Sequence, residues 1–223
     1  MEPRIMNSVD AELAAKEAEV LYASGQCAAA LVPLQRAIDS GHLPSRALMA
    51  HMLLDGREGV AEDHTRAFEL VEEGARLGCH DCQGVMALCH WCGIGIRRDA
   101  ARSLELARES SEKGSRYGQY ALGVLYYAGD GGAAQDYAQA VALYRLAATQ
   151  NHDAAQCNLG YMYLLGQGVA KDVAESFKWY QLAGAQRHPE AISMDHLVSQ
   201  AMLSRKQYQS HSLVQTHPNS GSS

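Results

Sequence analysis

Apolar residues in this chain fall at helical spacing in short stretches, and the stretches themselves recur with a period of about 36 residues. Leu122 and Tyr126 share one face of a stretch, with the small Gly123 beside them, and Ala140, Leu143, Tyr144 and Ala147 form the matching stripe of the next. The pattern returns as Leu159, Gly160 and Tyr163 followed by Ser176, Trp179, Tyr180 and Ala183, and more loosely as Met86, Ala87 and His90 followed by Ser103, Leu106 and Ala107. Met49, Ala50, Leu53, Ala67, Leu70 and Gly78 carry it upstream. Between the two stripes of each unit stand spaced glycines, Gly56 and Gly59, Gly93 and Gly95, Gly129 and Gly131, Gly166 and Gly168. They permit positive φ where a first helix must stop and the chain turn back. Each pair precedes an aspartate, Asp63, Asp99, Asp136 or Asp172, at intervals of 36, 37 and 36 residues, placed to accept the first free backbone N–H groups of a second helix. Gln139 and Glu175, three residues after Asp136 and Asp172, complete a capping-box pattern. The predicted element is a helical hairpin, repeated.

This register divides the chain into an N-terminal segment (1–19), a degenerate first unit with a shortened loop (20–44), and four fuller units at 45–81, 82–117, 118–154 and 155–190. Beyond Pro189, well placed at a first helical position, Ile192, Leu197, Ala201 and Leu203 predict a capping helix over 191–208. The polar, aperiodic residues 209–223 are expected to be disordered. The fold class is all-α. Stacked hairpins of this kind bury a continuous core between neighbours and present an extended concave surface, which points to binding and not to catalysis.

The pattern Leu–Gly–x–x–Tyr–x–x–Gly–x–Gly–Val–x–x–Asp, from Leu159 to Asp172, followed in a second helix by Ser176–x–x–Trp179–Tyr180–x–x–Ala183, where that family has alanine at the first of these positions, resembles the Sel1-like repeat, a relative of the tetratricopeptide repeat. The resemblance covers roughly residues 20–190, strongest in the fifth unit and weakest in the first. Ala50 and Ala87 stand where that family has glycine, and Leu53 and His90 where it has tyrosine. It implies a right-handed α-α solenoid and a noncatalytic adaptor that holds a protein or peptide partner. It also implies that the first helices line the concave side. Their exposed positions then comprise His51, Leu54, Leu88, Trp91, Tyr117, Tyr120, Val124, Tyr127, Tyr161 and Leu164. Tyr117, Tyr120, Val124 and Tyr127 follow one another at i, i+3, i+7 and i+10 on a single helix face. The aromatic members, Trp91, Tyr117, Tyr120, Tyr127 and Tyr161, are the expected partner-binding groove, because aromatic rings give large contact area at low rotamer cost. Packing within the hairpins is the competing role for the same tyrosines.

Charge and composition narrow the partner. The formal net charge of −6 offers no positive field for nucleic acid or anionic membrane surfaces. The first 20 residues hold no apolar run of signal-peptide length, and about 18 consecutive apolar residues occur nowhere, so a cytoplasmic protein without membrane insertion is expected. Cys79, Cys82, Cys89 and Cys92 form two C-x-x-C pairs, the one constellation that suggests a metal- or redox-dependent protein or enzyme instead. On one helix, however, Cys82 and Cys89 lie about 10 Å apart along the axis at a rise of 1.5 Å per residue, which is long for one tetrahedral ion. Buried thiols, with no metal and no cofactor, are the expectation. Arg97, Arg98, Arg102, Arg108, Lys113 and Arg116 are interleaved with Asp99, Glu105, Glu109 and Glu112 and read as a solvated face of mixed pairs.

Overall fold

The computed structural model describes residues 8–57 and 59–194. Among them ten helices follow one another with no strand: α1 (Ser8–Ala23), α2 (Cys27–Asp39), α3 (Leu43–Asp55), α4 (His64–Arg76), α5 (His80–Cys92), α6 (Ala100–Glu112), α7 (Arg116–Ala128), α8 (Tyr137–Thr149), α9 (Asp153–Leu165) and α10 (Val173–Ala185). Consecutive pairs form five hairpins stacked in a right-handed α-α solenoid. Residues 189–194 begin a further helical segment. Of the predicted capping helix, Leu197, Ala201 and Leu203 lie outside the described residues, as does the tail 209–223. Helix α1 starts well upstream of the first repeat unit marked out by the register, because Ala11, Ala14, Ala15 and Ala18 make a buried stripe of small residues at helical spacing.

Local chemistry sets the hairpin. The four predicted caps are in place: Asp63, Asp99, Asp136 and Asp172 accept from the backbone N–H of Arg66, Arg102, Gln139 and Glu175 at 2.9, 2.9, 2.9 and 3.0 Å. The reciprocal half of the capping box is not made at Asp172. That bond needs the N–H of the capping residue, and this N–H donates instead to the Tyr163 carbonyl of the preceding helix at 3.0 Å, while the Glu175 carboxylate takes Lys178 Nζ at 2.8 Å. The same cross-hairpin bond recurs from Asp63 to Leu53, from Asp99 to His90 and from Asp136 to Tyr126. Each aspartate thus starts the second helix and ties it to the last turn of the first.

Two glycines show why the units stack so closely. A Cβ on Gly123 would stand 2.8 Å from the Tyr144 ring, so α7 and α8 meet without a side chain between them. Gly168, at φ +67°, lies with its Cα so near the Tyr137 carbonyl that a Cβ would come within 2.2 Å of it. The loop of one hairpin rests there on the second helix of the hairpin before.

The array closes on itself. A Cβ on Gly25, in the turn of the first hairpin, would lie 2.6 Å from Cγ of Arg187 beyond the fifth, and Arg116 at the start of α7 reaches Glu19 of α1 at 3.2 Å. The inner surface of the first helices is therefore closed over at one end by the molecule itself.

Candidate functional site

A polar cluster fills that closed end. His51 projects from α3, Arg57 follows the Gly56 that ends the same helix, Tyr117 and Tyr120 come from α7, His152 caps α9, and Asp153 is the first residue of α9. His51, Arg57, Tyr117, His152 and Asp153 are all buried. Asp153 accepts from His51 Nε2 at 3.0 Å on one carboxylate oxygen, and Arg57 Nη2 stands 2.6 Å from the other. Because a carboxylate oxygen only accepts, His51 Nε2 carries a proton. Arg57 also donates to Asp55 at 2.7 Å, and its guanidinium lies 5.8 Å from the ring centre of Tyr22 on α1. His152 stacks on Tyr120 with centroids 4.5 Å apart and meets Tyr117 edge-on at 5.1 Å.

Burial would raise the Asp153 pKa, but the hydrogen bond and charge of His51 and the charge of Arg57 outweigh it and hold the carboxyl well below its usual range. His152 moves down, first through burial and then through the positive fields of His51, Arg116 and Arg57, so it is neutral. Its Nδ1 accepts from the Ala155 N–H at 3.3 Å, which places the proton on Nε2 and makes His152 a helix cap that works only when uncharged.

A pH dependence follows from these shifts. The unfolded chain takes up a proton at His152 below about pH 6.5, the folded chain does not, and stability is lost as the pH falls. His188, depressed chiefly by burial, acts in the same direction. Asp153 adds its loss only at still lower pH. The Tm is expected to be highest above about pH 7 and to decline toward pH 5, as the folding free energy falls by up to about 1.4 kcal/mol per pH unit for each proton involved. His152→Asn, which keeps an acceptor at the cap without titrating, should reduce that slope. A melting temperature independent of pH over this window would contradict a neutral buried His152.

Among the described residues, His51, His152 and Asp153 are the group whose ligand-capable atoms lie within 4.8 Å of one another. They do not fit a cation. The Arg57 guanidinium already neutralises the carboxylate and would repel a metal ion at the same oxygens. The cysteines behave as packing residues. Cys79, Cys82 and Cys89 are buried and Cys92 is exposed. Burial pushes the Cys89 thiol up to about 12 and raises Cys92; Cys82 is raised by its contact with Cys79 and by burial. Cys79 alone moves down, through the hydrogen bond from Cys82. The six basic residues are dispersed: Arg98 pairs with Asp130, Arg102 with Glu105 at 2.8 Å, and Arg116 with Glu19.

The expected aromatic groove is divided by this arrangement. Tyr117 is 1% exposed and lies between His51 and His152, so the expectation that it faces a partner is corrected: closure of the array places it in the interior. Val124 and His51 are buried as well. Tyr120 is partly buried against His152 and Tyr144. Trp91 donates its Nε1–H to Asp130 at 3.0 Å and packs between two core clusters. Tyr127 and Tyr161 come together at the open end, where they line a cavity of about 200 Å³ with Tyr144, Asn158, Met162 and Glu190. A second cavity of about 310 Å³, lined in part by Asp55, Tyr120 and His188, shares Asn158 and Glu190 with the first. Tyr161 is 40% exposed. Burial, then the neighbouring Tyr161 and Tyr137 phenols, push the Tyr127 phenol up, so it stays neutral.

Missed from the sequence were Arg57, His152 and Asp153. Their signal was faint: an arginine inside a Gly56 to Gly59 turn, where the other loops carry Ile94, Asp130 and Gln167.

Comparison with known proteins agrees with this architecture. The family model described as Sel1 repeat matches residues 44–79, 80–115, 116–152 and 153–188. Protein sel-1 homolog 2 of Rattus norvegicus is 34% identical over 94 residues, which is 42% of this chain and only 14% of that protein. Among solved structures, a Sel1 repeat protein from Oxalobacter formigenes is 25% identical with a TM-score of 0.51, over 81% of this chain and 73% of the other. A sel1 repeat protein from Klebsiella pneumoniae subsp. pneumoniae shares the fold with a TM-score of 0.55 at 18% identity, over 85% of this chain and 93% of the other. No helix among the described residues is long and apolar enough to cross a membrane.

Proposed function

The chain belongs to the Sel1 repeat family, whose members are generally protein-interaction scaffolds, and we propose that it is a noncatalytic adaptor holding a protein partner on the open part of its concave face. The observation that carries this reading is the pair of adjoining cavities around Tyr127, Tyr161, Asn158 and Glu190. They combine aromatic surface with solvent access, whereas His51, Tyr117 and Val124, expected on the same face, are buried. The buried thiols of α5 are raised in pKa at Cys82 and Cys89, the opposite of what a nucleophile or metal ligand requires, so a metal- or redox-dependent reading centred there has no support.

Affinity capture comparing the wild-type chain with Tyr127→Ala/Tyr161→Ala tests the proposal. A partner retained by the wild type is expected to bind the double variant at least about 30-fold more weakly, the loss typical of hot-spot truncation, with both proteins melting at similar temperatures. Equal retention by both would remove the binding site from this face.

A further inference from the structure

The chemistry of the open cavities selects the kind of group they receive. Three tyrosines, Tyr127, Tyr144 and Tyr161, line the smaller one, and Glu190 stands at the boundary with the larger, whose wall carries Asp55. Among the described residues, no lysine or arginine lines either cavity. His188, in the described lining of the larger cavity, is buried with its pKa pushed down by burial. Asp55 is already engaged by Arg57 at 2.7 Å, but Glu190 makes no ion pair among the described residues. Aromatic faces carry negative potential and attract cations, more strongly when the site is partly shielded from water. A carboxylate beside them adds a charge-assisted hydrogen-bond acceptor. Asn158 adds a neutral amide to the lining of both cavities.

Resting on the adaptor reading above, we propose that this pair of cavities receives a basic side chain, arginine or lysine, from the partner protein, with its cationic head between the Tyr127 and Tyr161 rings and Glu190. An anionic or purely apolar anchor is disfavoured there: the first by repulsion from Glu190, the second by the desolvation of an unpaired carboxylate. The site is small, so it recognises a single residue and leaves the rest of the affinity to the surface around it.

The test is an amide-resolved NMR titration of the full chain with N-acetyl-arginine methylamide and, separately, with the uncharged isostere N-acetyl-citrulline methylamide. The arginine probe is expected to give saturable shifts at Tyr127, Asn158 and Tyr161, and citrulline at least about tenfold weaker binding, as loss of a cation–π and ion-pair contact implies. Glu190→Gln and Tyr161→Ala, both exposed positions, should each weaken the arginine probe several-fold while leaving the amide spectrum of the core unchanged. Equal binding of the two probes, saturable shifts confined to other surfaces, or no saturable shift overturns the inference. If the capture experiment still depends on Tyr127 and Tyr161 in that case, the adaptor reading survives without it. The chain's own Arg205 and Lys206 lie outside the described residues. Shifts at Tyr161 on Arg205→Gln/Lys206→Gln in the absence of probe would make them the occupant and overturn assignment to a partner.

Discussion

Asp153→Ala is expected to destabilise the fold by about 3–5 kcal/mol, the range for removing one member of a buried ion pair. For a chain of this length that corresponds to a fall of roughly 10 °C in Tm. Arg57 is 3% exposed, and its Nε and Nη1 atoms already lack hydrogen-bond partners, so the variant would leave a guanidinium out of water with only Asp55 to balance it. His51 would lose its acceptor in the same step. The damage extends beyond the pair because the cluster joins hairpins far apart in the chain: Asp153 begins the fifth, His51 and Arg57 belong to the second, and Tyr22 comes from the first. Adding Arg57→Met to Asp153→Ala removes the stranded charge and should recover much of the loss, since a buried pair replaced by apolar groups is often neutral. Chemical denaturation of the two singles and the double measures the coupling. A loss below about 1 kcal/mol for Asp153→Ala would show that the carboxylate is hydrated and not a fastening of the array.

Tyr117→Ala should cost about 3–5 kcal/mol, as for other large aromatic truncations in a core, whereas Tyr161→Ala should stay within about 1 kcal/mol as a surface change. Tyr117 fills the space between His51 and His152 and lies under the Arg116 guanidinium, whose carbon is 5.1 Å from the ring centre. Tyr161 stands 40% exposed at the cavity mouth. Urea melts of the two variants make the comparison directly, and similar losses from both would contradict the division of the tyrosines into inner and outer sets. The comparison also separates two roles that the sequence assigned alike, since both residues occupied concave positions of the same repeat register.

The repeat and its hairpin were legible because they are written in local chemistry. An aspartate at Asp63, Asp99, Asp136 or Asp172 can cap a helix using residues two or three positions away, and the paired glycines supply left-handed turns within the same few residues. The apolar stripes needed only the helical period to be read, and Gly123 marks the close approach of Tyr144 from within its own unit. The capping box misled at Glu175 for a tertiary reason: the N–H it required is bound across the hairpin to Tyr163.

The candidate site depends on a quantity no single repeat contains. Each hairpin adds a small rotation to the next, and only their accumulated sum brings the turn of the first hairpin against Arg187 and His51 against Asp153, 102 positions away in the chain. Tyr117 and Tyr127 occupy the same face of α7, yet one end of that helix enters the closed interior and the other reaches the open cavity. Apart from α1, which the repeat register left out, the sequence by itself therefore determined the helices, their aspartate caps, their turns and which side faces inward, because those follow from contacts between near neighbours. The tertiary structure alone decided which inward residues are core and which are surface, because closure of the superhelix is a long-range sum of small angles.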